Sequence, residues 1–289
     1  MNFSFCSIAF RNKKITFPEI LSLLSKMGYQ GIELWANHVN NGANLKEIKE
    51  QLQEYNLSVP MVSPYFDFTA GKQKWEQSIE TAKHFVEIAS FLETPLIRAF
   101  TGIVGSHEAT SAQQEDCVRG LKEVCSIAKD SNISIALETH PSTLVDNVNS
   151  TLNIIAKVGA QNLKVNLDIY HMFEVHKDPL LALDSLYPHM AHVHAKNAII
   201  KPEEREKAKH PLLHDPQPKA DFVGIKSLAE GEMDYKPFIN NLLQKNYGLY
   251  VSVEWFGTNP EEAALKDLKY LKELVRAPCP QLNKQAIVS

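Results

Sequence analysis

Short apolar runs alternate with helical stretches eight times along this chain, and few folds accommodate that order. The strand-like runs are NFSFCSIAF (2–10), GIELW (31–35), LSVPMVS (57–63), PLIRAF (95–100) and segments near 133–138, 163–168, 189–195 and 249–254. A helical stretch follows each: one opened by Pro18 and ending near Gly28, then 44–55, 73–92, 112–130, 148–158, 178–187, 235–246 and 260–276. Trp75, Ile79, Ala82, Val86 and Ala89 carry the helical spacing within 73–92. Such alternation builds a parallel sheet whose crossovers are helices. An open doubly wound sheet would want a glycine-rich phosphate loop, and the chain has neither GxGxxG nor GxxxxGK[ST]. The expected fold class is therefore α/β, a (β/α)8 TIM barrel. Residues 1–276 are expected to form a single barrel domain. Residues 277–289, with two prolines and no periodicity, are expected to form a C-terminal extension. The polar stretch 197–234 follows the seventh strand and is expected to be a long loop over the barrel mouth.

Four of the strand-like runs turn polar at their C-terminal ends: ISIALETHP, LKVNLDIYH, AHVHAKN and YVSVEWF. The residues there are Glu138, Asp168, His194 and Glu254. In a β/α barrel all strand C-termini open onto one face, which carries the active site. Each residue alone is an ordinary polar strand end; four on one face make a divalent-metal site. An oxygen-rich set with one imidazole suits Mn²⁺ first, with Mg²⁺, Co²⁺ or Zn²⁺ as other occupants. No cysteine is expected at a strand end, which argues against a thiolate zinc site.

Residues i and i+2 of a strand share a face. His140 therefore follows Glu138 toward the mouth, and Lys196 follows His194. His192 lies one layer deeper and reads as structural. His171 lies one turn past Asp168. Glu33 and Trp35 end the second strand, and Arg98 nearly ends the fourth. Trp255 and Phe256 are placed to wall a small pocket or to cover the barrel rim. Three carboxylates against a divalent cation leave one negative charge, so an anionic substrate needs further cations; Arg98 and Lys196 are the candidates, with a salt bridge in the barrel wall as the alternative for either. His140 is the expected general base, with Glu254 and Lys196 as further catalytic candidates. Arg98, His171, Glu33 and Trp255 are the candidate substrate contacts.

Composition excludes several other roles. With 30 Lys and Arg against 34 Asp and Glu, the net charge is −4, and no basic patch stands out for a nucleic-acid partner. The four cysteines show no CxxC pair and read as reduced thiols. The N-terminus does not read as a signal peptide, and no run approaches a membrane span of ~18 apolar residues. The expectation is a cytoplasmic enzyme acting on a small anionic molecule, with no membrane partner.

The blocks GIELW, LETH, LDIYH, HVHAKN and SVEW resemble the xylose-isomerase-like superfamily of sugar-phosphate isomerases and epimerases. That likeness implies a β/α barrel whose metal is held by Glu138, Asp168, His194 and Glu254. The longer blocks SFCSIAFR, GIELWANH, LETHPSTLVDNVNSTL, NLKVNLDIYHMFE, HVHAKN and SVEWFG resemble the bacterial 3-dehydroshikimate dehydratases of the petrobactin-pathway type. The second likeness runs from about residue 3 to residue 260 and is weakest over 100–116 and 197–234. It implies dehydration of 3-dehydroshikimate to protocatechuate through a metal-stabilised enolate. The product would serve siderophore biosynthesis or aromatic compound metabolism. It also implies that His140, Arg98, His171 and Lys196 line the site.

A ketose 3-epimerase or sugar isomerase would use the same metal, with Glu138 and Glu254 as acid and base on an open-chain sugar. His140 and Lys196 at the mouth favour an anion instead. An endonuclease-IV-like nuclease would need more His and Glu ligands and a basic DNA-facing surface. A silent binding barrel would have lost a ligand.

Overall fold

The computed structural model describes residues 1–40, 42–176, 178–200 and 224–277. Its strands are β1 (Asn2–Cys6), β2 (Gly31–Trp35), β3 (Val62–Ser63), β4 (Leu96–Ala99), β5 (Ser134–Glu138), β6 (Leu163–Asp168), β7 (Met190–Ala195), β8 (Asn197–Ala198), β9 (Ile225–Lys226) and β10 (Tyr250–Val253). All except β8 and β9 pair in parallel, and β10 closes the ring between β7 and β1. The eight-stranded barrel expected from the alternation is the observed one. Around it lie α1 (Phe17–Met27), α2 (Ala36–Val39), α3 (Leu45–Glu54), α4 (Lys72–Phe91), α5 (Ser111–Lys129), α6 (Val148–Val158), α7 (Ile169–His176), α8 (Pro179–Leu186), α9 (Tyr235–Gln244) and α10 (Pro260–Arg276).

Local signals explain the boundaries. Thr16 and Glu19 form a capping box at the start of α1, with Pro18 in its first turn. Gly28, at φ 87°, takes the left-handed turn that ends it. Two strands are shorter than their apolar runs. The run 2–10 stops pairing with β10 at Phe5–Val253, and Ser7–Phe10 turns into a 3₁₀ helix. Cys6 is thus a strand end after all. The run 57–63 pairs within the barrel only at Val62–Ser63, apart from one bridge between Gly31 and Ser58. Pro60 lacks an amide hydrogen and interrupts that ladder. The helix α7 was not expected; it follows β6 directly and carries His171. Within 197–234, β8 and β9 form an antiparallel pair, while residues 201–223 lie outside the described residues. So do 278–289 of the expected C-terminal extension.

The barrel interior is polar where most such barrels are filled by branched aliphatic side chains. Ser4, Asn166, His192 and Ser252 are fully buried there. Ser4 Oγ meets Ser252 Oγ at 2.6 Å, and Ser252 Oγ meets His192 Nε2 at 2.8 Å. The main apolar core lies between barrel and helices, and a small apolar cluster of Met61, Leu96 and Ala136 lies inside the barrel. One approach in the main core is unusually close: a Cβ on Gly120 of α5 would overlap the buried Phe68 ring. Gly120→Ala is expected to destabilise the fold by about 1–3 kcal/mol through overpacking. A fall in Tm on thermal unfolding, with helix content kept, checks this; an unchanged Tm would mean that Phe68 yields at no cost.

Candidate metal centre

β10, β7, β6 and β5 are consecutive neighbours in the barrel, so their C-terminal residues meet. Asp168 stands in register with His194, and Glu138 with Asn166. Glu254 lies one residue past β10, and its N–H donates to the Ala195 carbonyl at 2.9 Å. A ligating atom from each of Glu138, Asp168, His194 and Glu254 lies within 4.8 Å of the other three. None of the four is more than 4% exposed.

The imidazole of His194 shows where a cation fits. Its Nε2 is 2.9 Å from Glu33 Oε2. Its Nδ1 is buried without a hydrogen-bond partner, 3.6 Å from Glu138 Oε1 and 3.7 Å from Glu254 Oε1. Two ligands each about 2.1 Å from one ion, opened to a roughly tetrahedral angle, stand about 3.5 Å apart. The spacing therefore suits a shared ion.

Charge supports the same fit. The pocket buries four carboxylates, Glu33, Glu138, Asp168 and Glu254, against two fixed cations, Arg98 and Lys196. That leaves two negative charges, the complement of one divalent cation. Burial pushes Asp168 up to about 7, with Glu254 and Glu138 adding to the shift and Lys196 opposing it. Burial disfavours the His194 imidazolium, yet Glu33 and the other carboxylates hold its pKa well above the usual range. Asp168 and His194 are thus the groups whose protons a divalent ion would displace. Burial also works against the Glu138 carboxylate, but Arg98 and then His194 hold it well below the usual range.

The remaining candidates converge on this centre in different ways. Lys196 Nζ lies 2.6 Å from Asp168 Oδ2 and 2.8 Å from Glu254 Oε2. His140 is 5% exposed, and its Nδ1 lies 2.7 Å from the Pro141 carbonyl. A carbonyl only accepts, so Nδ1 carries the proton and Nε2 the basic lone pair. The His140 ring packs edge-on to Phe100 and lies 4.3 Å from the His171 ring, centroid to centroid. His171 pairs through Nδ1 with Glu174 at 3.0 Å, and its backbone N–H donates to Asp168 Oδ1 at 3.1 Å. Trp255 is half-buried, with its ring over Gly257.

Two of the candidate substrate contacts also pair within the protein. Arg98, read as a substrate contact, donates Nη1 to Glu138 Oε2 at 3.1 Å. Its guanidinium lies against the stacked pair of rings Tyr65 and Phe100, at 4.8 and 4.6 Å from their centroids. It thus holds one of the four converging carboxylates, and it is as buried as His140 and Lys196. Glu33, also read as a substrate contact, turns its carboxylate inward to His194, His192 and Ser63. His192 occupies the deeper layer, as expected. Cys6, discounted in the sequence, brings Sγ to 4.0 Å from His194 Nε2, with burial holding its thiol pKa well above the usual range. Sequence reasoning missed Tyr65 and Phe100, although both follow the ends of barrel strands.

Among the described residues no helix is long and apolar enough to cross a membrane. The chain is similar to the 3-dehydroshikimate dehydratase of Bacillus anthracis, at 30% identity over 94% of this chain and 96% of the relative. It is also similar to the inosose dehydratase of Clostridium tetani, at 23% identity over 89% of each. Among solved structures it superposes on the probable 3-DHS dehydratase AsbF of Bacillus anthracis, described as involved in petrobactin synthesis. The TM-score there is 0.83, at 29% identity, covering 94% of this chain and 99% of that one. The barrel and its alternating order agree with a match of residues 21–274 to the family description, and the chain belongs to the xylose isomerase-like TIM barrel family.

Proposed function

We propose that this chain is a metal-dependent 3-dehydroshikimate dehydratase whose product is protocatechuate, with Mn²⁺ the first candidate ion. The observation that carries the reading is the whole-length likeness to the Bacillus anthracis 3-dehydroshikimate dehydratase, 30% identical over nearly all of both chains. Glu138, Asp168, His194 and Glu254 would hold the ion. When bound, a divalent ion acts as a Lewis acid that stabilises charge developing on a carbonyl oxygen.

The substrate is a 3-oxo-4,5-dihydroxycyclohexene carboxylate. Its C4 proton is acidified by the neighbouring ketone. Loss of that proton and of the C5 hydroxyl releases one water. Transfer of a C6 proton to the C3 oxygen then completes the aromatic ring. The side chains divide this work. His140 takes the C4 proton on Nε2, because the Pro141 carbonyl holds Nδ1 as a donor. Lys196 brings an ammonium beside Asp168 and Glu254, where it stabilises negative charge on the substrate. His171, oriented by Glu174, stands next to His140 as a further donor at the mouth. Arg98 holds Glu138 in place through its Nη1. Trp255 walls the site.

The test follows protocatechuate formation from 3-dehydroshikimate in chelator-treated protein, before and after addition of Mn²⁺. Product only after Mn²⁺ is the expected result. No protocatechuate under either condition, with epimerisation of a neutral ketohexose instead, would overturn the reading in favour of a sugar epimerase.

A further inference from the structure

We propose that Glu33 is a positioning residue: it holds the His194 ring so that Nδ1 faces the metal, and His192 and Ser63 hold Glu33 in turn. This rests on the metal reading above.

Glu33 Oε2 lies 2.9 Å from His194 Nε2. A carboxylate accepts, so Nε2 keeps a proton, and Nδ1 is the nitrogen whose lone pair an ion can take. That nitrogen is the one turned toward Glu138 and Glu254, at 3.6 and 3.7 Å. The imidazole therefore stands between Glu33 and the ligand cluster. A molecule bound on the open side of the cluster would meet His194 before Glu33.

The other contacts of Glu33 lead away from the mouth. Oε1 accepts from the Ser63 hydroxyl at 2.5 Å, and Oε2 also lies 3.2 Å from His192 Nε2. His192 Nε2 is in turn 2.8 Å from Ser252 Oγ, which meets Ser4 Oγ at 2.6 Å. The run Ser4, Ser252, His192, Glu33, His194 thus crosses the barrel between β1, β10, β7 and β2. Glu33 is 2% exposed, and the other four are fully buried. Solvent does not compete for these hydrogen bonds, so the protein alone sets the His194 tautomer and the ring angle. Partners of this kind typically change metal affinity by about 10–100-fold.

Glu33, His192 and His194 also lie close enough to hold an ion of their own. His194 Nε2 cannot both bind an ion and donate to Glu33, so counting ions separates the two arrangements.

The experiment compares wild type with Glu33→Gln. It measures the Kd for Mn²⁺ by calorimetry, the ions bound per chain, and the visible spectrum of the Co²⁺-loaded protein. Wild type is expected to bind one ion. Glu33→Gln keeps the shape but loses the charge. It is expected to weaken Mn²⁺ binding about 10–100-fold and to shift the Co²⁺ bands, while kcat largely recovers at saturating Mn²⁺. Ser63→Ala removes one support of Glu33 and should weaken binding less, in the same direction; it serves if Glu33→Gln does not fold. Unchanged Mn²⁺ affinity with a raised KM would overturn the proposal and return Glu33 to the substrate contacts. Two ions per chain would overturn it in favour of a second site. A wild-type protein that binds no ion would fail the metal reading itself, before any variant is compared.

Discussion

Glu138→Gln and Glu254→Gln are each expected to emerge from dialysis without stoichiometric metal and without turnover. Each variant removes one of four converging ligands and one of the two negative charges that a divalent ion would neutralise. The variants differ in their side effects. Glu138 is the buried partner of Arg98, at 3.1 Å, so its loss leaves a guanidinium unpaired in the wall. Breaking a buried pair in this way costs about 3–5 kcal/mol, so Glu138→Gln should also lower stability. Glu254→Gln is the cleaner probe, because Lys196 keeps Asp168 as its partner at 2.6 Å. Elemental analysis of dialysed protein, with turnover measured before and after added Mn²⁺, makes the check. Full turnover in metal-free wild type, or wild-type metal content in both variants, would sink the metal reading.

His140→Ala is expected to lower kcat by about 10²–10⁴-fold, the usual contribution of a positioned general base, while metal content stays intact. His140 lies on the mouth side of Glu138, two residues on, and the Pro141 carbonyl fixes which nitrogen is basic. Its ring is wedged between Phe100 and His171, so it has little freedom to swing away. The competing role is orientation of a ligand, which would show as weaker metal binding and a kcat that recovers in excess Mn²⁺. The assay is therefore run at saturating Mn²⁺. Near-wild-type turnover there would remove His140 from the chemistry and move the base role to Glu254 or Lys196.

The barrel was legible because its signals are local. Apolar runs, capping residues and glycine stops occur within a few positions of what they control, as at Thr16, Glu19 and Gly28. Where the runs misled, a local cause competed with the pattern. Pro60 interrupts the ladder inside LSVPMVS, so β3 is only Val62–Ser63. In IYHMFEVH, strand-favouring Ile and Tyr mask the start of a helix, and α7 went unread.

The convergence of Glu138, Asp168, His194 and Glu254, with His140 and Lys196 on the same side, was determined by the sequence itself. In a parallel barrel every strand ends on the same face, and two-residue alternation sets which side chains share it. The partners of Arg98 and Glu33 were decided only by the tertiary structure. Glu33 and His194 are 161 residues apart and meet across the barrel. Arg98 reaches Glu138 from the neighbouring strand, 40 residues away. Whether a charged strand-end residue faces substrate or a neighbouring ligand depends on strand stagger and on which pairs fall in register. That geometry exists only once the ring has closed, and no local pattern encodes it.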